Sequence, residues 1–211
     1  MHIYAFGSIC RGEVTPGSDI DLLAITDGND CRFDLETYSR YTHARLHELW
    51  QEGNPFAWHL SLESKLLFAE DGRDFLRELG TPSPYRRVAA DCDKFSKLFQ
   101  TAREAVAAGS NSVVFELSTI FLAVRNIATC FSLGCTARAD FSRRSALRLG
   151  SDSLVIDRIA FETLERARVL STRGVGPLLS DHEMQSATAC FTQLEVWMNR
   201  LCAKTRLHER V

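Results

Sequence analysis

The chain has 211 residues, of which 45% are hydrophobic and 25% charged, and its formal net charge is −2. These proportions exclude a disordered or collagen-like chain and leave enough apolar material for a buried core. No apolar run approaches the roughly 20 residues of a membrane span, so no membrane partner is expected. The apolar start at residues 1–6 is short, lacks a basic flank and runs into Gly7-Ser8, so a secretory leader is not expected either. The seven cysteines are scattered and include no Cys-x-x-Cys pair. That fits reduced thiols in a cytoplasmic setting better than a disulfide framework or a zinc site.

The small net charge hides an asymmetry. Residues 1–83 carry seven basic and fourteen acidic side chains, and residues 84–211 carry the other eighteen basic and thirteen acidic ones. Either two unlike domains attract each other, or the second half faces something anionic. Gly80-Thr81-Pro82-Ser83-Pro84 is the natural break, because two prolines and a glycine stop a helix. The division predicts domains at 1–80 and 84–211.

In chain order, residues 2–6 read as a strand that ends at Gly7-Ser8. A second strand covers about 20–25 and is broken by Asp27-Gly28-Asn29-Asp30. A helix is predicted over about 34–51, where Leu35, Tyr38, Leu46, Leu49 and Trp50 recur at roughly helical spacing. Gly53-Asn54-Pro55 ends it, residues 56–62 read as a third strand, and 64–79 as a helix interrupted near Asp71-Gly72. Beyond the break, helices are predicted at about 85–108, 112–133, 152–171 and 181–203, with a shorter one near 142–149. The last carries Met184, Ala187, Phe191, Leu194, Trp197, Met198 and Leu201 on one face, a core stripe. The expected class is α+β, a small mixed sheet followed by a helical bundle.

The stretch that carries chemistry is residues 7–23, GSICRGEVTPGSDIDLL. A strand delivers Gly7-Ser8 to a turn, and glycine lets backbone approach a ligand closely. Free N–H groups at such a turn suit phosphate, and Arg11 is near enough to add a charge-assisted contact. Asp19 and Asp21, two residues apart at the head of a strand, project from one face. Adjacent carboxylates repel unless a cation lies between them, and Mg²⁺ is held by one or two carboxylates together with substrate phosphates. Thr15-Pro16-Gly17-Ser18 turns the chain so that cradle and carboxylates face one site.

Gly-Ser, ten residues and then Asp-x-Asp before apolar strand residues resembles the signature of the polymerase-β nucleotidyltransferase superfamily, closest to its minimal branch. Arg11-Gly12 and Ser18–Leu23, SDIDLL, match its usual form. The resemblance implies that Gly7 and Ser8 bind the nucleotide's phosphates, and Arg11 and Ser18 are read as further nucleotide-binding candidates beside them. It implies that Asp19 and Asp21 are catalytic and hold two Mg²⁺ ions. The family places a third carboxylate on the following strand. Here the segment read as that strand has none, and His59 or Glu63 would take its catalytic place. The family also has a helix before its first strand, whereas here the strand begins almost at Met1. Either this branch lacks that helix or the true start lies upstream.

Other constellations are weaker. His43 and His47 have the i, i+4 spacing of zinc ligands but lack the glutamate of His-Glu-x-x-His. Arg138, Arg143, Arg144 and Arg148 read as a solvated face or as an anion contact. Arg125, in an apolar stretch, needs a partner. The second half resembles the helical companion domains of these nucleotidyltransferases. One class of them, the HEPN-type, includes ribonucleases with a histidine four to six residues after an arginine. After Arg125 those places hold no histidine, so ribonuclease activity is not expected.

The expected activity is Mg²⁺-dependent transfer of a nucleoside monophosphate from a triphosphate such as ATP to an acceptor hydroxyl on a small molecule, an RNA end or a protein. The alternative is a degenerate fold that binds a nucleotide or partner, as in a toxin–antitoxin pair. A homodimer stays open.

Overall fold

Strand β1 (His2–Phe6) lies between β2 (Asp21–Ile25) and β4 (Ser64–Ala69), and pairs antiparallel with both. Outside β2 lies β3 (Tyr38–Tyr41), parallel to it, so the mixed sheet has the order β3-β2-β1-β4. The structure, a computed structural model, describes residues 1–13, 20–28 and 32–208. The chain divides into two compact units, Met1–Arg86 and Arg87–Val211.

Alternation along β1 and β2 sends Tyr4, Phe6, Leu23 and Ile25 to one face of the sheet. There they meet Leu46, Leu49 and Trp50 of α1 (His43–Gln51), Ala57 and Leu60 of α2 (Pro55–Glu63), and Leu76 of α3 (Phe75–Glu78). The Tyr4 hydroxyl is buried with this cluster. It donates to Asp74 Oδ1 at 2.9 Å and accepts from the Leu76 N–H at 3.0 Å, and burial pushes its pKa up.

Three local expectations fail in this unit. The helix expected over 34–51 forms only in its second half. Asp34 Oδ1 accepts the N–H groups of Glu36 and Thr37, which turns the chain into β3, and Thr42 then caps α1 by accepting from the Arg45 N–H. The strand expected over 56–62 is helix α2. Asn54 accepts from the Phe56 N–H at 2.9 Å and Pro55 opens the helix, so Gly53-Asn54-Pro55 both ends α1 and starts α2. The helix expected over 64–79 is strand β4 followed by the short α3. Residues 64–69 are strand because they pair with β1, a long-range contact that local periodicity does not register.

In the second unit, α5 (Val113–Cys135) packs against α4 (Val88–Ala107), α6 (Arg158–Arg173) and α8 (Phe191–His208), and α7 (Asp181–Ala189) precedes α8. By length and composition α5 is apolar enough to cross a membrane, a length of apolar chain not expected from the sequence. Here it is the packed core helix of the unit. The single helix expected over 181–203 is two, divided at Cys190, and 142–149 holds one short 3-10 turn, Ser145–Leu147, in place of a helix. Ala187, Phe191, Leu194, Trp197, Met198 and Leu201 are buried as the stripe requires, and Met184 is half-buried. Arg125 donates to the carbonyl of Phe141 at 2.9 Å, and Arg143 and Arg144 pair with Glu165.

Candidate active site

At the end of β1 the chain enters a single 3-10 turn, Gly7–Ile9, closed by the Cys10 N–H on the Gly7 carbonyl at 3.0 Å. Gly7 has a φ of 75°, in the left-handed region that glycine adopts without steric cost. The β1–β2 register places Asp21 directly beside Phe6, one residue before this turn. Asp21 shares its strand face with Leu23 and Ile25, which are fully buried, while Asp21 itself is exposed at the strand head. A β-carbon on Gly7 would lie 2.7 Å from Asp21 Oδ2. The carboxylate therefore occupies the space that any side chain at position 7 would need. Ser8 follows in the turn, half-buried. Asp19 and Ser18 lie outside the described residues.

On the other side of β1, the register places Ser64 beside Phe6, directly after Glu63 at the end of α2. Helix α2 packs against the Gly7–Ile9 turn. Arg11 lies between these elements. Its Nε donates to Glu13 Oε2 at 3.0 Å and its Nη1 donates to Glu63 Oε2. Burial would lower the guanidinium pKa, but the bonds to Glu13 and Glu63 outweigh burial and hold it above its usual range. Glu63 Oε2 is also 3.0 Å from His59 Nε2, one helical turn back. The His59 ring stands edge-on to Phe6, with centroids 5.6 Å apart. Burial raises the pKa of the nearby Cys10 thiol, which donates to the Ala5 carbonyl, a setting that suits a structural thiol and not a nucleophile.

Gly7, Ser8, Arg11 and Asp21 thus converge on the end of β1, and His59 and Glu63 flank it on the β4 side. His59 and Glu63 share a face of α2 through the i, i+4 spacing of a helix. The strand that follows β2 is β3, Tyr38-Ser39-Arg40-Tyr41, which holds no acid. Sequence reasoning missed Glu13 as a partner of Arg11; the only local sign was an Arg-x-Glu triplet. His43 and His47 differ in their neighbours. His43 Nδ1 lies 2.7 Å from Asp27 Oδ1 and its Nε2 lies 3.2 Å from His2 Nδ1, while His47 stands edge-on to Phe75. Among the described residues, no group of three or more His, Cys, Asp and Glu could hold a metal ion.

Residues 2–79 match the family model for the nucleotidyltransferase domain. Over this segment the chain is similar to nucleotidyltransferase domains. The nucleotidyltransferase match spans all four strands and ends at residue 79, before the Gly-Thr-Pro-Ser-Pro break, so the helical unit lies outside it. A small mixed sheet followed by helices is the layout of a polymerase-β-type nucleotidyltransferase domain with a helical companion, an α+β fold. No curated protein matches the chain. Of the two predicted acids the described residues place only Asp21 at the Gly7–Ile9 turn, a single hard oxygen donor of the kind Mg²⁺ takes.

Proposed function

We propose that this protein transfers a nucleoside monophosphate from a nucleoside triphosphate to an acceptor hydroxyl. The acceptor oxygen bonds to the α-phosphorus, the α–β phosphoanhydride bond breaks, pyrophosphate leaves with the bonding electron pair, and the hydroxyl proton passes to solvent. One observation supports this reading above the rest: the Asp21 carboxylate lies over a left-handed glycine with no space for a β-carbon. That arrangement brings a metal-binding oxygen and bare backbone to one point. Asp21, together with Asp19, would hold two Mg²⁺ ions, which when bound neutralise phosphate charge and lower the pKa of the acceptor hydroxyl.

The chain's own residues position the substrate. Gly7 and Ser8 offer backbone to the phosphates, Arg11 offers a guanidinium, and Ser18 is assigned to the same cradle. Placement and electrostatic stabilisation then supply most of the rate. Acceptor choice follows from charge. The acidic half suits a cationic polyol of the aminoglycoside kind, the basic half suits an RNA end, and a protein hydroxyl is the third class.

The test is incubation with each labelled nucleoside triphosphate, Mg²⁺ and cell extract, followed by identification of the labelled product. Transfer should be abolished in Asp21→Ala and by chelation of Mg²⁺. Nucleotide binding without transfer from any of the four nucleotides would overturn the transferase reading and leave a binding module. If the product is RNA, activity should fall steeply with added salt.

A further inference from the structure

We infer that Glu63 is a positioning residue that acts through Arg11, holding its guanidinium at the phosphate side of the Gly7-Ser8 turn, and is not a third metal ligand. This inference rests on the proposed nucleotidyl transfer. The sheet order sets the backbones of the two acids on opposite sides of β1: Asp21 flanks Phe6 from β2, and Glu63 adjoins the residue that flanks it from β4. Two strand spacings across β1 amount to about 10 Å. Glu63 is also already engaged. Its Oε2 accepts from Arg11 Nη1 and faces His59 Nε2 at 3.0 Å. A divalent cation on that carboxylate would sit against a guanidinium, a like-charge contact that disfavours it.

The same geometry explains what Glu63 does. A free arginine samples many rotamers and loses them when it binds a ligand. Here Glu63 holds Nη1 and Glu13 holds Nε from a second direction, and among the described residues these are the bonds the guanidinium makes, so Nη2 is the nitrogen assigned to a phosphate oxygen. The Arg11 and Glu63 side chains are 19% and 14% exposed, so the pair is largely buried but still reached by solvent. Arg11 is thereby ordered before the nucleotide arrives, which is where preorganisation gains affinity.

A double-mutant cycle tests this on the full chain. Binding of inorganic tripolyphosphate and of ATP with Mg²⁺ is measured by calorimetry for the wild type, Arg11→Ala, Glu63→Ala and the double variant, with circular dichroism as the folding control. Each single variant should weaken tripolyphosphate binding about tenfold, and the double variant no more than either, because both remove one device. The Mg²⁺ concentration for half-maximal ATP binding should not move in Glu63→Ala. Additive losses, unchanged or tighter binding in Glu63→Ala, or a shifted Mg²⁺ requirement would each overturn the inference while the transferase reading stands. A wild type that binds neither ligand removes both. Should Glu63→Ala fail to fold, Glu63→Gln keeps the packing and removes the charge, and it should show the same non-additivity with Arg11→Ala.

Discussion

Replacing Gly7 by alanine separates backbone strain from the aim of Asp21. An L-residue at a φ of 75° costs about 1–2 kcal/mol of stability. The new β-carbon would also sit 2.7 Å from Asp21 Oδ2, where ordinary contact begins at 3.4 Å. The carboxylate must therefore move outward by most of an ångström. Such a movement costs little stability, because the end of a short side chain can rotate, but a misplacement near 1 Å can cost about 100-fold in rate. Gly28 provides the control: its φ is 89° and nothing lies within 4 Å of a β-carbon placed there. Gly7→Ala and Gly28→Ala should thus lose similar stability in urea titrations, about 1–2 kcal/mol each. Only Gly7→Ala should lose Mg²⁺-dependent nucleotide binding and nucleotidyl transfer, by about 10- to 100-fold. Equal functional losses in the two variants, or full activity in Gly7→Ala, would refute the reasoning.

Three further outcomes concern stability. Asn54→Ala removes the cap that starts α2 and should cost about 1 kcal/mol in urea unfolding. Gly134→Ala places a β-carbon 2.8 Å from the Val88 β-carbon, where α5 meets α4. It should destabilise by about 1–3 kcal/mol, and Val88→Ala in the same chain should recover part of that, so strictly additive losses would contradict the contact. The Glu183 carboxyl is held down to about 2, from a usual 4.5, first by Arg166 and then by the N–H and hydroxyl of Ser180. A depressed carboxylate stabilises the fold above its unfolded pKa and loses that contribution as pH falls through the folded value. The gap in melting temperature between wild type and Glu183→Gln should therefore be full above about pH 4.5 and close towards pH 2. A gap that persists at the acid end would count against the assignment.

How much of this was legible in the sequence depended on which forces write locally. Strands β1 and β2 and the Gly-Ser turn between them were readable, because a buried strand, a glycine turn and paired acids each leave a mark within a few residues. Helix α2 was not. Its Phe56-Ala57-Trp58-His59-Leu60 run is apolar on most sides, so no periodicity favours helix over strand, and the deciding Asn54-Pro55 start reads equally well as the end of α1. Strand β4 exists because β1 offers it an edge some sixty residues away, and strand β3 because β2 offers the other. Neither partner is visible in the segment itself. Reading α2 as a strand also meant seeking a third acid on an element that is a helix. The strand that follows β2 is hidden inside a helical spacing that Tyr38, Leu46 and Leu49 meet by coincidence.

The five-pair ladder between β1 and β2 has one more consequence. Neighbouring residues on a strand face opposite ways, so sliding β2 by a single position would swing Asp21 to the far side of the sheet and bring Leu22 over the glycine. The same slide would drive Leu23 and Ile25 out of the hydrophobic cluster and into water. The chain cannot misaim its acid without first unpacking its interior. Changes in the length of the connecting loop therefore need not disturb where that oxygen points.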